Sequence, residues 1–120
     1  MSQPEIRPAT AADLAAYYGE PPRRTMRAWV AVLDGKPIAV AGVAYEAGKP
    51  HYLFSEMRPE MKRYRKAILR GGRRVLEDTK GMRLLASCSS PGASRFLVHL
   101  GLRFLTDTVD GRMIFEWGGR

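Results

Sequence analysis

The sequence contains one cysteine in 120 residues and no long apolar run. A lone cysteine excludes an internal disulfide and is typical of a reducing compartment, so we expect a cytoplasmic protein. The longest apolar stretches, Ala28–Leu33 and Ile38–Tyr45, are far shorter than the roughly 18 residues that a membrane span needs, so no membrane partner is expected. The opening residues, Met1–Glu5, show neither a basic start nor an apolar core, and no secretory signal is expected.

Acidic residues are also scarce: 12 Asp and Glu stand against 20 Lys and Arg, which gives a net charge of +8. The excess is concentrated between Arg58 and Arg74, a segment whose one acid is Glu60. Such a run is usually a solvated helix face, and the alternatives are a site for the phosphates of a cofactor or contact with nucleic acid. The nucleic-acid interpretation lacks the exposed aromatic residues that commonly accompany it, since Tyr64 falls on the expected core stripe.

The sequence also lacks a metal-binding motif and a cysteine placed to act as a nucleophile. The His, Cys, Asp and Glu residues do not occur at metal-ligand spacing, so no metal is expected. Cys88 lies between Ser87 and Ser89 with no histidine nearby in sequence, and therefore lacks a partner base. We expect Cys88 to be a buried residue at the end of a strand.

Apolar content of 45% and charged content of 27% are ordinary for a globular chain, and the length fits one domain over residues 1–120. Thr10 followed by Asp13 predicts a capped helix over Ala11–Tyr18, and an irregular connection follows over Gly19–Thr25. The remaining predicted elements are strands Met26–Leu33, Ile38–Tyr45 and His51–Met57, a basic helix from about Glu60 to Gly81, strand Leu84–Cys88, helix Ala93–Leu100, and a hairpin of Arg103–Val109 with Met113–Trp117.

This order of elements resembles the Gcn5-related N-acetyltransferase fold, and four segments carry the resemblance: IRPATAADL, WVAVLDGKPIAVAGV, MRPEMKRYRKA and SPGASRFLVHLGLRF. The resemblance covers nearly the whole chain. It implies an α/β (α+β) fold, with a mixed, mostly antiparallel central sheet of about six to seven strands flanked by about three helices. It also implies acetyl-CoA as co-substrate and an amine on a small molecule or protein as acceptor.

The family holds the pyrophosphate of acetyl-CoA in a loop of the form Gln/Arg-x-x-Gly-x-Gly/Ala, whose glycines let backbone N–H groups approach the phosphates. The run that resembles this loop is Lys62-Arg63-Tyr64-Arg65-Lys66-Ala67. Arg63 and Arg65 stand where glycine is usual, and they either crowd the phosphates or bind them through salt bridges. By the same resemblance, the backbone of Ser55 and Met57 would bind the pantetheine arm, and Ser90 would replace the family's Asn contact to that arm.

The catalytic residues implied by the resemblance are incomplete. Leu97 stands where the family has the tyrosine that protonates the departing thiolate, and leucine cannot donate a proton. His51 matches the position of the glutamate that serves as base in some members, and imidazole ordinarily titrates close to neutral pH. Glu56, on the same predicted strand, is the other candidate base. The structural alternative for His51 is a solvated residue after a turn.

The chain is short for the family, because only Gly19–Thr25 stands where a second helix normally helps to form the acceptor pocket. An acceptor site would then be open or completed by a second copy in a homodimer. Short versions with few loop glycines resemble those of tailed bacteriophages, which implies either host cytoplasm or the virion. The alternative to an enzyme is a non-catalytic structural protein that docks through its basic helix on phage structural proteins or nucleic acid.

Overall fold

The computed structural model describes residues 3–22 and 25–118. Arg23 and Arg24, which belong to the connection predicted to be irregular, lie outside the described residues, as do the first two and last two residues. The elements are β1 (Glu5–Pro8), α1 (Ala11–Tyr18), β2 (Thr25–Leu33), β3 (Lys36–Tyr45), β4 (Tyr52–Met57), a 3-10 turn (Pro59–Met61), α2 (Arg65–Asp78), β5 (Leu84–Cys88), α3 (Pro91–Leu100), β6 (Arg103–Asp107) and β7 (Met113–Trp117).

All seven strands form one sheet in the order β1-β2-β3-β4-β5-β7-β6. Every neighbouring pair is antiparallel except β4 and β5, which are parallel. The predicted fold class, a mostly antiparallel mixed sheet with three helices, is therefore confirmed. None of the helices among the described residues is long and apolar enough to cross a bilayer.

Helix α1 has the bounds that the sequence predicts, because its first turn is closed by a capping box. The Thr10 side chain accepts a hydrogen bond from the Asp13 backbone N–H at 3.1 Å, and Asp13 accepts one from the Thr10 N–H at 3.0 Å. Asp13 is also buried beside Arg7, whose guanidinium donates to it at 2.8 Å. These partners hold the pKa of Asp13 below its usual range, chiefly through the backbone N–H of Thr10.

The strands β2–β4 have apolar residues on both faces, and a helix covers each face, as the sequence requires. Helix α1 packs on a cluster of Leu14, Val30 and Val40 on one face. On the other face, Ile38 packs against Ala67 at the start of α2. The β4 strand is thus held between two helices, and its alternating side chains point to α1 and to α2 in turn.

The basic helix starts later than predicted, at Arg65 instead of about Glu60. Pro59 begins a 3-10 turn rather than the helix, and Tyr64, with φ −95° and ψ 62°, separates the two. The helix ends at Asp78, so Gly81 belongs to the following turn rather than to the helix end. Gly72 permits close packing: a Cβ there would lie 3.0 Å from a methyl group of Leu100 on α3.

The other predicted bounds are close to those observed. Strand β5 has the predicted bounds, and Cys88 is buried at its end as expected. Helix α3 begins two residues before Ala93, and strand β6 ends at Asp107 instead of Val109. Together β5, β7 and β6 form the second part of the sheet, packed under α2 and α3 around a core cluster that contains Phe115.

Candidate active site

A cleft separates the two parts of the sheet, because β4 and β5 pair at a single position, Tyr52 with Leu85. Beyond that pair the two parallel strands diverge toward their C-terminal ends, where ligands commonly bind in α/β sheets. The cleft has a volume of about 300 Å³. Its β4 wall includes Ser55 and Glu56, and Leu97 of α3 also lines it. A smaller apolar cavity of about 60 Å³ shares Ser55 and Glu56 with the cleft and extends to Ala67 beneath α2.

Residues 58–64, which include the 3-10 turn, connect β4 to α2. The first turn of α2 lies near the C-terminal end of β4, since Ala67 lines the smaller cavity together with Ser55 and Glu56. The N-cap residue, Tyr64, makes no side-chain capping bond to this helix. The first backbone N–H groups of any α-helix have no partner within the helix, and here they belong to Arg65, Lys66 and Ala67. Ala67 itself is fully buried, which fixes the first turn against the sheet. The arrangement provides backbone donors and a positive helix end for an anion.

The cations around this helix start differ in what they contact. Lys62, Arg65 and Lys66 are exposed and form no ion pair with any residue of 3–22 or 25–118. Arg63 lies against Tyr64, with its guanidinium carbon 5.0 Å from the ring centre and a 3.0 Å hydrogen bond to the phenol oxygen. Three of the four cations predicted to bind phosphate are therefore available, and the fourth is engaged by its neighbour.

Ser90 is the N-cap of α3, and its Oγ accepts a hydrogen bond from the Ala93 N–H at 3.1 Å, but Ser90 does not itself line the cleft. Leu97, at the position where the resemblance implies a tyrosine, lines the cleft and packs against the core cluster of Leu76 and Phe115. An apolar side chain therefore occupies this part of the cleft wall.

The three predicted residues of β4 lie at its C-terminal end, beside α2. Ser55 and Glu56 line both the cleft and the smaller cavity, and Met57 lines the cavity. Glu56 points toward α1, since it accepts a hydrogen bond from the hydroxyl group of Tyr18. Nearby, Arg58 donates to the Tyr17 carbonyl at 2.6 Å, which ties α1 to the end of β4.

His51 lies at the opposite end of the same strand. Its carbonyl accepts a hydrogen bond from the Leu85 N–H at 3.1 Å, where β4 and β5 meet. The imidazole is exposed and packs edge-to-face on Tyr45 with ring centres 4.8 Å apart. His51, just before the first residue of β4, and Glu56 are five positions apart, about 17 Å along extended chain. The two candidate bases are therefore not part of one site.

Sequence reasoning missed three polar residues of this region. Tyr18 reaches Glu56 from 38 positions away, and Arg112, in the turn before β7, donates to Ser87 Oγ at 3.0 Å across 25 positions. Ser87 and Arg112 line the cleft on the β5 side. No local signal marks these residues, because only the sheet order brings them to the cleft. In the part of the chain that the structure describes, no three His, Cys, Asp or Glu side chains are grouped to hold a metal ion.

Several solved structures with a similar architecture are acetyltransferases of low sequence identity to this chain. One is the ribosomal-protein-S18-alanine N-acetyltransferase from Escherichia coli, with TM-score 0.65 and 18% identity over 95% of this chain and 92% of its own. Another is an acetyltransferase from Thermus thermophilus, with TM-score 0.64 and 16% identity over 97% of each chain.

A third similar structure is a mutant of the AtaT toxin bound to acetyl-CoA and to the C-terminus of the antitoxin AtaR. It has TM-score 0.51 and 10% identity over 96% of this chain and 94% of its own. The sequence matches no protein-family model and no curated protein significantly. The chain has the fold of the Gcn5-related N-acetyltransferases.

Proposed function

We propose that this protein is an N-acetyltransferase that uses acetyl-CoA and acetylates an amine. The observation that carries the proposal is the start of α2: a helix N-terminus without a side-chain cap, with nearby cations that form no ion pair among the described residues. Its first turn reaches, through Ala67, the smaller cavity that shares Ser55 and Glu56 with the cleft. The shared fold supports the same function, as does the acetyl-CoA bound by one of the similar structures. A protein that uses this co-substrate would work in the cytoplasm.

The phosphate groups would bind at the first turn of α2. The backbone N–H groups of Arg65, Lys66 and Ala67 provide donors, and the side chains of Lys62, Arg65 and Lys66 provide charge. Arg and Lys form short, charge-assisted hydrogen bonds to phosphate, so side chains here replace part of the contact that a glycine loop makes through its backbone. Arg63 and Tyr64 would form the outer edge of this site.

The pantetheine arm would lie along β4. Because β4 pairs with β5 only at Tyr52, the edge of β4 near Ser55 and Met57 has backbone groups that face the cleft without a strand partner among the described residues. An extended arm can hydrogen-bond to such an edge as an added strand does. Ser90, whose Oγ accepts from Ala93, retains its hydroxyl proton for a contact on the other side of the arm.

Acetyl-CoA supplies a thioester whose acetyl group passes directly to the amine. Glu56 takes the proton that the ammonium group loses, the amine nitrogen then forms a bond to the carbonyl carbon, and the C–S bond breaks. On forming the amide, the nitrogen loses its second proton to water in the open cleft, and, since Leu97 donates no proton, this water supplies the proton that the departing thiolate takes up. Glu56 is the base in this proposal rather than His51, because Glu56 lines the cleft and, together with Ala67 of α2, the smaller cavity, whereas His51 lines neither.

A non-catalytic docking protein is the second candidate, and Leu97 in place of a proton donor favours it. In this case the basic residues of α2 would bind a protein or nucleic-acid partner; one similar structure is a toxin bound to its antitoxin. The missing loop glycines and the short Gly19–Thr25 connection support a degenerate form of the fold, as in tailed bacteriophages. Such a protein would not bind acetyl-CoA.

Calorimetric titration with acetyl-CoA separates the two candidates. We expect micromolar binding with one site per chain, and a Kd at least 10-fold weaker in the Lys62→Ala/Arg65→Ala variant. The matched control is Arg70→Ala/Arg73→Ala, two exposed cations further along α2, which should change the Kd less than 3-fold. Absence of binding at millimolar acetyl-CoA would contradict the enzyme and leave the docking protein.

A further inference from the structure

The side of the cleft that faces α1 contains two charged groups of opposite sign on opposite walls. Glu56 lies on the β4 wall and Arg112 on the β5 and β7 wall. We propose that the acceptor is a small molecule that carries both an amine and an anionic group, with the amine at Glu56 and the anion at Arg112. This inference rests on the proposed acetyltransferase function and names its acceptor class.

On the β4 wall of the cleft, the Glu56 carboxylate points toward α1. Side chains alternate along a strand, and Phe54 packs with the α1 cluster, so Glu56 faces the same side as Phe54. The hydroxyl group of Tyr18 donates to Glu56 and fixes its orientation. Glu56 is the one carboxylate among the described residues that line the cleft. It is therefore the group that attracts a cationic amine there.

The opposite wall presents a guanidinium group whose charge is not neutralised by an ion pair. Arg112 donates to Ser87 Oγ at 3.0 Å, and no carboxylate of the described residues lies within salt-bridge distance of it. Asp110, the acid of the same turn, accepts a hydrogen bond from the Thr108 hydroxyl group, and this bond, together with the nearby charge of Arg112, holds the pKa of Asp110 below its usual range. A second bond, from the Arg112 backbone N–H to Thr108 Oγ1 at 3.0 Å, holds the turn in place.

Glu56 on one wall and Arg112 on the other together favour one class of ligand. A guanidinium group has five N–H donors, and Ser87 uses one of them, so donors remain for a carboxylate or a phosphate. A simple amine would satisfy Glu56 and leave Arg112 without a directly paired anion, since Asp110 is near enough to interact with its charge but forms no salt bridge with it. The cleft volume of about 300 Å³, which the acyl arm shares, is small for a binding site and fits an acceptor of amino-acid size.

Acceptor assays on the full chain with acetyl-CoA test this inference through release of the CoA thiol. The probes are L-amino acids with their amides, which compare a carboxylate with a neutral group, and phosphoethanolamine with ethanolamine, which does the same for phosphate. We expect one anionic series to be acetylated with a KM at least 10-fold below that of its neutral partner. The series that shows this difference identifies the anion.

Arg112→Gln should raise the KM of the anionic acceptor at least 10-fold and leave that of its neutral partner unchanged. The control is Arg95→Gln, an exposed arginine of α3 that does not line the cleft. Since Arg112 also orders its turn, Ser87→Ala provides a second variant, which removes the contact that orients the guanidinium group and should raise the same KM by a smaller factor. Glu56→Gln should lower kcat for both members of a pair.

Three results would overturn the acceptor class: equal KM values within every pair, an unchanged preference in Arg112→Gln, or no acetylation of any probe by a chain that binds acetyl-CoA. Each of these leaves the binding of acetyl-CoA intact, so the proposed function survives them. Failure to bind acetyl-CoA, in contrast, removes the proposed function itself.

Discussion

The three helices of this protein begin in two different ways. Helices α1 and α3 are capped by their own N-cap side chains: Thr10 accepts from the Asp13 N–H, and Ser90 accepts from the Ala93 N–H. Helix α2 has no such cap at Tyr64 and no acid in its first turn. Its first turn instead contains Arg65 and Lys66, which repel the positive end of the helix dipole.

This difference shows where an anion would stabilise the molecule. An uncapped helix start surrounded by cations lowers stability, since backbone N–H groups lack partners and like charges lie close together. A bound phosphate relieves both costs, whereas α1 and α3 gain nothing from one at their capped N–H groups. In the proposed function, the start of α2 is therefore the helix end that binds the ligand, and the following predictions compare it with the other two.

The largest expected effect comes from reversing charge at the start of α2. Arg65→Glu/Lys66→Glu should weaken acetyl-CoA binding about 100-fold, because two charge-assisted contacts are lost and repulsion replaces them. The melting temperature should stay equal or rise, since acids are favoured at a helix N-terminus. Calorimetry and thermal unfolding of the same sample measure the two effects.

The matched control for that variant is Arg70→Glu/Arg73→Glu, which changes the charge of α2 by the same amount beyond its first turn. It should retain most of the affinity. An equal loss of affinity in both variants would mean that α2 attracts the ligand by overall charge, and that its N-terminus has no special role.

The second-largest expected effect is a loss of stability when the capping box of α1 is removed. Asp13→Ala removes the carboxylate that accepts from Arg7 and from the Thr10 N–H, and should lower the free energy of unfolding by about 2 kcal/mol. Denaturant unfolding measures this loss. Acetyl-CoA affinity should not change, because Asp13 does not line the cleft. A variant as stable as wild type would contradict the role assigned to the capping box.

Asp13 also makes the stability of the protein depend on pH in the acid range. The pKa of Asp13 is lower in the folded state than in the unfolded chain, so its stabilising contribution is present above the unfolded pKa of about 3.9 and is lost as pH falls through the folded pKa. Wild type should therefore lose more stability than Asp13→Ala between pH 5 and acid pH. Parallel unfolding curves for the two proteins across that range would exclude this contribution.

The smallest effect is expected at α3. Ser90→Ala removes the cap on the Ala93 N–H and should cost about 1 kcal/mol of unfolding free energy. The Kd of acetyl-CoA should change less than 3-fold, since Ser90 makes one neutral contact in the proposed site. Ser90→Thr, which keeps a hydroxyl group, is the matched control and should restore the stability. A loss of affinity comparable to that of the α2 charge reversal would remove the distinction between the two helices.

Local sequence signals predicted the bounds of an element correctly where that element contains its own capping and turn residues. The Thr10–Asp13 pair and Gly19 mark both ends of α1, and the predicted bounds are those observed. The start of α2 could not be placed in the same way. Pro59 is a sound signal for a helical first turn, yet that turn closes as a 3-10 turn, and Tyr64 leaves the helical region before the helix begins.

The candidate site likewise has parts that the sequence could predict and parts that it could not. The position of the Lys62–Ala67 segment near the end of β4, with Ala67 in the smaller cavity that adjoins the cleft, follows from its place soon after that strand, so the sequence could predict it. The contacts of Tyr18 with Glu56 and of Arg112 with Ser87 could not be predicted, because each joins residues brought together only by the order of strands in the sheet. The same limit applies to His51, whose distance from the cleft depends on where β4 and β5 meet.

The most direct test of the central claim follows the backbone amide signals of α2 by NMR during titration with CoA. The account predicts large shifts at the N–H groups of Arg65, Lys66 and Ala67, with the Asp13 N–H of α1, already bound by Thr10, unchanged. Binding of CoA with no shift at these three amides, or with shifts confined to other parts of the chain, would contradict the assignment of the phosphate site to the start of α2.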